Sequence, residues 1–517
     1  MKKLKLVCVA IAMACATPTL AGGLLTNTNQ HVAFNRMMSR EASIGIDGVY
    51  YNPAGVVFMG EGHHLAINWQ LAFQTRTINN DYALFTNNVN NPITPRDFKG
   101  TAFAPVIPSF QYAYNKGKWS FQANFALTGG GGKCTFDDGL GSFEKIVAET
   151  AIAACQLAGA VDQVAGAYNV PGIFSSNQCF GTEGKYSYNS YMHGRQYYYG
   201  LSAGAAYKFS DNFSAFLGVR GVYALTNYYG YVENIQVGQM PLYKVLNPAK
   251  ESSANIELSC DQSGVGFTPI IGVDYKTGRW NFSAKYEFKT RIRLKNKSVN
   301  QIPSIGNLPD NLRNAYIANG VPEAAADAIL SNPKIQGAMV ALKTQFDSKI
   351  DGAIGEYEDG KKIAGDIPAY LALGVGYSPV DAVKVNVGFH WFDDKNATSY
   401  NNRNKELKRG TLEYNAGVEV DVNKKITLST GWQNTNYGLS DEYMDDKSFV
   451  VSSNSVAIGG VYHINKKMDL NVAYFHTFYQ HKKTSEKVQL TAEKSINYSS
   501  DYTRNNNVFA VGLDINF

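Results

Sequence analysis

The sequence has little of several features that mark enzymes and helical membrane proteins. Beyond its first residues no apolar run approaches the roughly 18 residues of a membrane-spanning helix, and the mean hydropathy is −0.24. The cysteines number only six in 517 residues, and none has CxxC or metal-ligand spacing. No Ser/His/Asp constellation and no phosphate-binding loop is recognisable. We therefore expect no catalytic residue, no metal and no cofactor.

An excess of charge of one sign is also missing. The formal net charge is +5, from 48 Lys and Arg against 43 Asp and Glu. Three of those lysines, Lys2, Lys3 and Lys5, lie in the leader described next, so the rest of the chain is closer to balance. This composition gives no reason to expect a nucleic-acid partner.

The first 21 residues are typical of an export signal. The three lysines form a basic start, Leu6 to Cys15 an apolar core, and Thr19-Leu20-Ala21 a small-residue cleavage site. A lipoprotein box at Ala12 to Cys15 is the alternative, but it lacks the usual aliphatic residue three positions before Cys15. We expect residues 1–21 to be removed and the mature chain to lie outside the cytoplasm.

Four cysteines remain in the mature chain, an even number for an oxidising compartment. Cys134, Cys155 and Cys179 share one predicted outer loop, and Cys260 lies at the outer approach to the sixth predicted strand. We expect two disulfides on the outer side, with three pairings open.

Alternation of apolar and polar residues is the strongest signal in the chain. Apolar side chains occupy every second position from Phe509 to Phe517, and the run from 411 to 422 alternates likewise, with Glu413, Glu419 and Asp421 on its polar face. A sandwich core would bury these carboxylates without partners, whereas a water-filled lumen accepts them. The pattern recurs in residues 65–73, 119–127, 280–288 and 383–391.

Connection lengths between these runs also alternate. Six short turns, near residues 115–118, 210–212, 276–279, 378–382, 423–425 and 465–467, separate seven long segments. Thirteen connections imply fourteen strands, with short turns in the periplasm and long loops outside. The predicted fold is all-β, a 14-stranded antiparallel transmembrane barrel over residues 63–517.

Residues 22–62, which precede the first strand, are too apolar for a leader alone. They include Leu24, Leu25, Phe34 and Ile46, and can bury these side chains by filling the lumen. Near the end of this segment stands Asn52-Pro53-Ala54-Gly55, where the Asn-Pro pair disfavours helix and sets a turn.

These features resemble the FadL/TodX family of long-chain fatty-acid transporters of the outer membrane. The resemblance lies in the Gly22-Gly23 start, the stretch from Ser43 through Asn52-Pro53-Ala54, the fourteen strands and the terminal Phe517. It implies that residues 22–62 form a lumenal plug, called the hatch below. It also implies an inward kink of the third strand that opens the wall sideways and releases hydrophobic molecules into the membrane.

The third predicted strand reaches a run of four glycines, Gly129, Gly130, Gly131 and Gly132. Glycines leave strand geometry easily, so the run favours a kink or bulge at a lateral opening. The alternative is that the run only starts the following loop.

Two further features point to ligand surfaces. The outer loops near residues 142–157 and 310–346 have helix-like sequence that could present an apolar groove. In the seventh strand, parity counted from Trp280 places Arg291, Arg293 and Lys295 on the lumen side, where they could bind a ligand carboxylate. Alternatively, these cations neutralise lumenal acids or meet lipopolysaccharide phosphates.

The expected function is passive uptake of hydrophobic molecules, long-chain fatty acids first, by capture at outer loops and lateral release. Uptake of aromatic hydrocarbons is the alternative within the same class. An outer-membrane lipase or an adhesin barrel represents other classes, and a general porin fits less well because a plug is inferred. Outer-membrane lipids, lipopolysaccharide and the barrel-assembly machinery are the other expected partners.

Overall fold

The computed structural model describes residues 24–303, 306–490 and 494–517, so the predicted signal peptide lies outside the described residues. Fourteen antiparallel strands close into a barrel because the last strand pairs with the first, from His64–Asn516 to Tyr82–Tyr498. The predicted fourteen-stranded barrel is confirmed. The strands are β1 Gly62–Tyr82, β2 Arg96–Lys116, β3 Trp119–Phe136, β4 Tyr186–Lys208, β5 Phe213–Val237, β6 Ile256–Thr277, β7 Trp280–Glu287 and Arg293–Ser298, β8 Lys362–Ala364 and Tyr370–Val380, β9 Val383–Phe392, β10 Thr411–Asn423, β11 Ile426–Asn436, β12 Ser453–Asn465, β13 Met468–Tyr479 and Lys482–Gln489, and β14 Ser495–Asn516.

The two faces of the wall differ as the alternation predicts. Trp69, Phe121 and Leu217 are 49%, 51% and 69% exposed on the outward face, whereas Gln111 and Asn124 are buried on the inward face. An outward apolar band with an inward polar face is the arrangement of a barrel that spans a membrane. All six predicted short turns are present at one end, called the inner end here, and the long loops lie at the outer end.

Helices occur in the N-terminal segment and in the outer loops. They are α1 Val32–Met37, α2 Gly48–Tyr51, α3 Gly141–Ala167, α4 Tyr243–Leu246, α5 Leu308–Ala318, α6 Glu323–Leu330 and α7 Pro333–Ile354; short 3₁₀ turns span Gly55–Phe58, Ala83–Asn87, Glu251–Ala254, Gly355–Tyr357, Asp394–Asn396 and Tyr400–Glu406, and a two-residue strand spans Met240–Pro241. None of the described helices is both long and apolar enough to cross a bilayer.

The hatch fills the lumen, as the fold prediction expects. Residues 26–42 are buried almost without exception, although they include several polar and charged side chains. Because a buried polar group must find a partner, this segment fits only against the polar inward face of the wall.

The long outer loops pack into an apolar cap at the outer end. Helix α3 is tied to the wall through Glu144, which forms an ion pair with Arg96 and accepts hydrogen bonds from the hydroxyls of Tyr186 and Tyr188 at 2.9 and 2.8 Å. In the first turn of α3, the Ser142 amide donates a hydrogen bond to the Asp446 carboxylate at 2.8 Å. Burial raises the pKa of Asp446 to about 6.

Candidate functional site

Ion pairs hold the hatch to the inward faces of two strands. Arg36 pairs with Glu419 of β10, and His390 of β9 bridges Glu41 of the hatch and Glu413 of β10 through its two ring nitrogens, at 2.7 and 2.8 Å. His390, Glu41 and Glu413 are fully buried. A buried charge is tolerated only when it is paired, so these contacts fix the position of the hatch.

The predicted hatch motif anchors the inner end of the segment. Asn52 donates from its amide to Asp274 of β6 at 2.6 Å and accepts from the Gly55 amide at 3.2 Å. The carbonyls of Pro53 and Ala54 accept from Gln122 of β3 and Ser214 of β5, each at 2.7 Å. The motif therefore joins the hatch to three strands before the chain enters β1.

Replacing Asn52 with alanine is expected to loosen the hatch without opening the barrel. The change removes the donor to Asp274, and a hydrogen bond to a charged group contributes roughly 1.5–3 kcal/mol. Amide hydrogen exchange of residues 43–60 should accelerate at least about tenfold. Asn79→Ala is the matched control, because Asn79 donates to Asp97 at 2.7 Å on the exposed face. Equal exchange in both variants would contradict the anchoring role.

Strands β2 and β3 separate in the middle of the wall. Their ladder runs from Lys116–Trp119 to Phe110–Phe125 and resumes only at Thr101–Thr135. In between, residues 102–109 and 126–134 form no ladder pair with each other, although β3 stays paired with β4. The wall thus has a lateral gap.

The glycine run forms the β3 side of this gap. The run lies inside β3 and not at the start of the following loop; it comprises Gly129, Gly130, Gly131 and Gly132. Of the two alternatives, a kink in the strand or a loop start, the structure therefore has the kink. Gly130 and Gly132 have φ of 95° and 64°, a region that favours glycine. Register shifts against β4 between Leu127 and Gly132 give this part of β3 two bulges.

The start of the hatch pairs with the kink from inside. Thr26 bridges to Gly129, the Asn27 amide donates to the Thr128 carbonyl at 3.0 Å, and the Gly130 amide donates to the Leu25 carbonyl at 3.0 Å. A Cβ on Gly129 would lie 2.6 Å from the Leu25 oxygen. The kink and the hatch therefore depend on each other.

Two prolines on β2 explain the other side of the gap and were missed by the sequence analysis. Pro105 and Pro108 stand between the two paired stretches of β2. Proline has no amide hydrogen to donate to a ladder, so within sheets it is confined to edges and bulges. The sequence signal that predicts the gap is this pair of prolines, three residues apart in a barrel strand.

Apolar side chains lie behind the gap. The wall residues Ala104, Ile107 and Leu127 pack in one buried cluster with side chains of the hatch. The hatch contributes Phe34, Met38, Tyr50 and Tyr51. A molecule that leaves through the gap would cross an apolar surface.

A small cavity lies at the kink. Leu24 and Leu25 of the hatch border it, as do Gly130 and Gly132 of the kink. Arg76 of β1 also lines it, and Phe136, Met192 and Phe449 supply apolar surface. Gln196, Tyr228 and Lys447 line it too, so the cavity combines apolar surface with polar groups and two cations.

Arg76 faces a second arginine, Arg504, on the same rung between β1 and β14. Both are buried, at 9% and 5% exposure. The Nε, Nη1 and Nη2 atoms of Arg504 have no hydrogen-bond partner among the described residues, and the Arg76 Nε has only a long contact of 3.4 Å to Gln74. No described carboxylate lies within ion-pair distance of either. Like charges on one rung are unfavourable, so this pair is suited to an anion.

An apolar cleft opens in the outer loops. Helix α3 lines it with Ala154, Leu157 and Val161, and Leu308 and Leu312 of α5 lie opposite. The predicted helical outer loops are confirmed, and they present the groove expected of them.

The prediction of a carboxylate-binding site on the lumen side of the seventh strand is wrong. Arg291, Arg293 and Lys295 are exposed on the outward face, whereas Ile292 and Leu294 point inward and are buried. Residues 288–292 interrupt β7 opposite Pro269 of β6, which accepts from the Phe288 amide at 3.0 Å but cannot donate in return. The interruption inverts the parity counted from Trp280.

The two predicted disulfides are also wrong, because Cys134, Cys155, Cys179 and Cys260 are buried free thiols. Cys134 packs in a lumenal cluster separate from the mouth cluster that contains the other three. The Cys155 thiol donates to the Phe180 carbonyl at 3.4 Å instead. Among the described residues no group of His, Cys, Asp or Glu is arranged to hold a metal ion.

Solved structures of other proteins share this fold, among them the following three. A FadL homologue from Pseudomonas aeruginosa has a TM-score of 0.60 at 14% identity, covering 96% of this chain and 100% of that chain. The toluene transporters TbuX of Ralstonia pickettii and TodX of Pseudomonas putida have TM-scores of 0.50 and 0.51 at 13% and 12% identity, covering 95% and 92% of this chain and 99% and 94% of theirs. The fold implied by the resemblance is confirmed. No protein-family model matches the sequence, and neither does any curated protein.

Proposed function

We propose that this chain is a passive outer-membrane channel for hydrophobic molecules with an acidic head group, long-chain fatty acids being the leading substrate. The observation that carries this choice is the Arg76/Arg504 rung, which has no acidic partner among the described residues and whose Arg76 lines the cavity. A carboxylate supplies the charge that the rung lacks, and a guanidinium can hold it in bidentate geometry.

The route has three stages. A molecule first enters the apolar cleft of the outer loops, because burial of apolar surface contributes roughly 25 cal/mol per Å². It then occupies the cavity, with its head group on the arginine rung. It leaves through the gap between β2 and β3, since a long acyl chain prefers the bilayer to periplasmic water by about 0.8 kcal/mol per methylene.

Aromatic hydrocarbons are the second candidate substrate class. Two of the proteins that share the fold are described as toluene transporters. Toluene has no charge and would use the cleft and the gap but not the arginine rung. Interactions with the barrel-assembly machinery and with lipopolysaccharide belong to the same proposal of an outer-membrane location.

Uptake of labelled oleate by a Gram-negative host that lacks its own fatty-acid channel tests this function. Wild-type protein should support oleate uptake, and Leu157→Lys in the cleft should reduce uptake about tenfold at low oleate concentration, because it places a charge on apolar surface. The defect should diminish at high concentration. Val340→Lys is the control, since Val340 is 62% exposed and does not line the cleft.

Uptake of toluene without uptake of oleate would contradict the fatty-acid assignment and favour the second class. If neither oleate nor toluene were taken up, the proposed function itself would be contradicted.

A further inference from the structure

Five exposed cations form a row on the outer surface of the barrel. Arg291, which lies in the interruption of β7, and Arg293, Lys295 and Lys297 of its second segment alternate with buried residues that point inward. Lys362 of β8 is exposed as well and is the ladder partner of Lys295. These five residues are called the basic row below.

The basic row lies where the apolar band of the wall ends. On the neighbouring strand β6, Val265 and Phe267 are 63% and 70% exposed, as a lipid-facing surface requires. Lys295 and Lys297 pair with Ser263 and Asp261, farther toward the outer end of the same strand. Lys295, Lys297 and Lys362 are therefore level with the boundary between acyl chains and head groups. Arg291 and Arg293 lie at the edge of the apolar band, next to Gly266 and Gly264 of β6.

Most of this charge has no partner within the chain. Arg293 pairs with the buried carboxylate of Asp366 at 2.9 Å. Among the described residues, the other four cations form no ion pair at 4.0 Å or less. Asp261, the ladder partner of Lys297, is exposed, and its carboxylate accepts a hydrogen bond from Asn227 at 2.8 Å. Asp359 is exposed as well, and its carboxylate accepts from the Ser298 amide at 2.8 Å. The row thus has a clear positive excess next to an apolar surface.

We infer that the basic row binds a phosphorylated glycolipid of the outer leaflet, namely the phosphates of a lipopolysaccharide. Such a lipid matches both parts of the surface, since its acyl chains cover Val265 and Phe267 while its phosphates meet the cations. Clusters of Lys and Arg at a membrane surface bind anionic lipid in this way, and guanidinium groups suit phosphate geometry. The inference rests on the outer-membrane location in the proposed function, not on the transported molecule.

The test compares two charge-matched variants of the full chain. Arg291→Glu/Lys295→Glu/Lys297→Glu reverses three cations of the row and leaves the Arg293–Asp366 pair in place. Lys424→Glu/Lys425→Glu/Lys466→Glu reverses three exposed lysines at the inner end, on the other side of the membrane. Binding of diphosphorylated lipid A to detergent-solubilised protein is measured by native mass spectrometry, and binding of oleate is measured on the same preparations.

The row variant should bind lipid A about 100-fold more weakly than wild type, given the contribution of each basic residue near an anionic surface. The inner-end variant and oleate binding should be unchanged. Equal lipid A affinity in the two variants would overturn the inference. So would displacement of lipid A by millimolar inorganic phosphate, which would indicate a site for the free anion. Retained oleate binding in the row variant separates this outcome from failure of the proposed function.

Discussion

Replacing both Arg76 and Arg504 with methionine is expected to weaken oleate binding by about 100-fold, because each guanidinium supplies a charge-assisted hydrogen bond to the carboxylate. Isothermal titration of oleate and of its methyl ester into detergent-solubilised protein measures the effect. The methyl ester carries no charge, so its affinity should change little. Toluene binding should also be preserved.

The Arg504→Met substitution alone should stabilise the ligand-free protein. Arg504 has three buried nitrogens without a hydrogen-bond partner and lies next to a second cation, with the Tyr479 ring 5.1 Å away. Removing such a group relieves both desolvation and repulsion, which outweighs the weaker contact with the ring. We expect Arg504→Met to raise the free energy of unfolding by about 1 kcal/mol, the sign found where a binding site costs stability. Arg195→Met, on the exposed face of β4, is the control for loss of a cation. If oleate affinity were unchanged and the free energy of unfolding lowered, the two arginines would have a structural role and no role in ligand binding.

Closing the lateral gap is expected to reduce uptake strongly while the arginine rung can still bind a carboxylate. Pro105→Thr and Pro108→Thr restore two ladder donors on β2, and Gly129→Thr with Gly130→Val favours extended strand on β3. In the kinked conformation a Cβ on Gly130 would lie 2.6 Å from the Gln196 carbonyl oxygen. The strand must therefore straighten, and oleate uptake should fall at least about tenfold, the cost of sending the acyl chain through water.

Pro269→Thr is the matched control for this variant. It adds the same amide hydrogen at the interruption opposite Phe288, in a part of the wall away from β2 and β3, and should leave uptake unchanged. The closed variant should still bind oleate more tightly than the methyl ester, because the arginine rung is untouched, although Gly130 lines the cavity and its replacement changes the shape of the cavity. Normal uptake through a wall shown to be closed would contradict the lateral route.

Strand number and strand faces could be predicted from the sequence, because apolar and polar residues alternate with a period of two in each barrel strand. The faces of residues 65–73 and 411–422 agree with the prediction, and the hatch followed from apolar residues placed directly before the first strand. These features are local, so each stretch of sequence carries its own signal.

The arginine rung could not be predicted in the same way. Strand parity places Arg76 and Arg504 on the lumen side of their own strands, but their pairing depends on the register between the first and last strands. The outward position of Arg291 and Arg293 was missed because parity was carried across an interruption. Pro269, together with Pro368 beside the break in β8, was the signal that the ladder stops there.

The most direct test of the account is photo-crosslinking with a fatty acid that carries a diazirine at its methyl end, in intact outer membranes. If the acid leaves sideways with its head on the arginine rung, adducts should map to Ala104, Ile107 and Leu127 at the gap. The Arg76→Met/Arg504→Met variant should lose these adducts. Adducts on Ile46 and Val461, which line the space at the inner end of the lumen, would instead indicate an axial path and contradict the account.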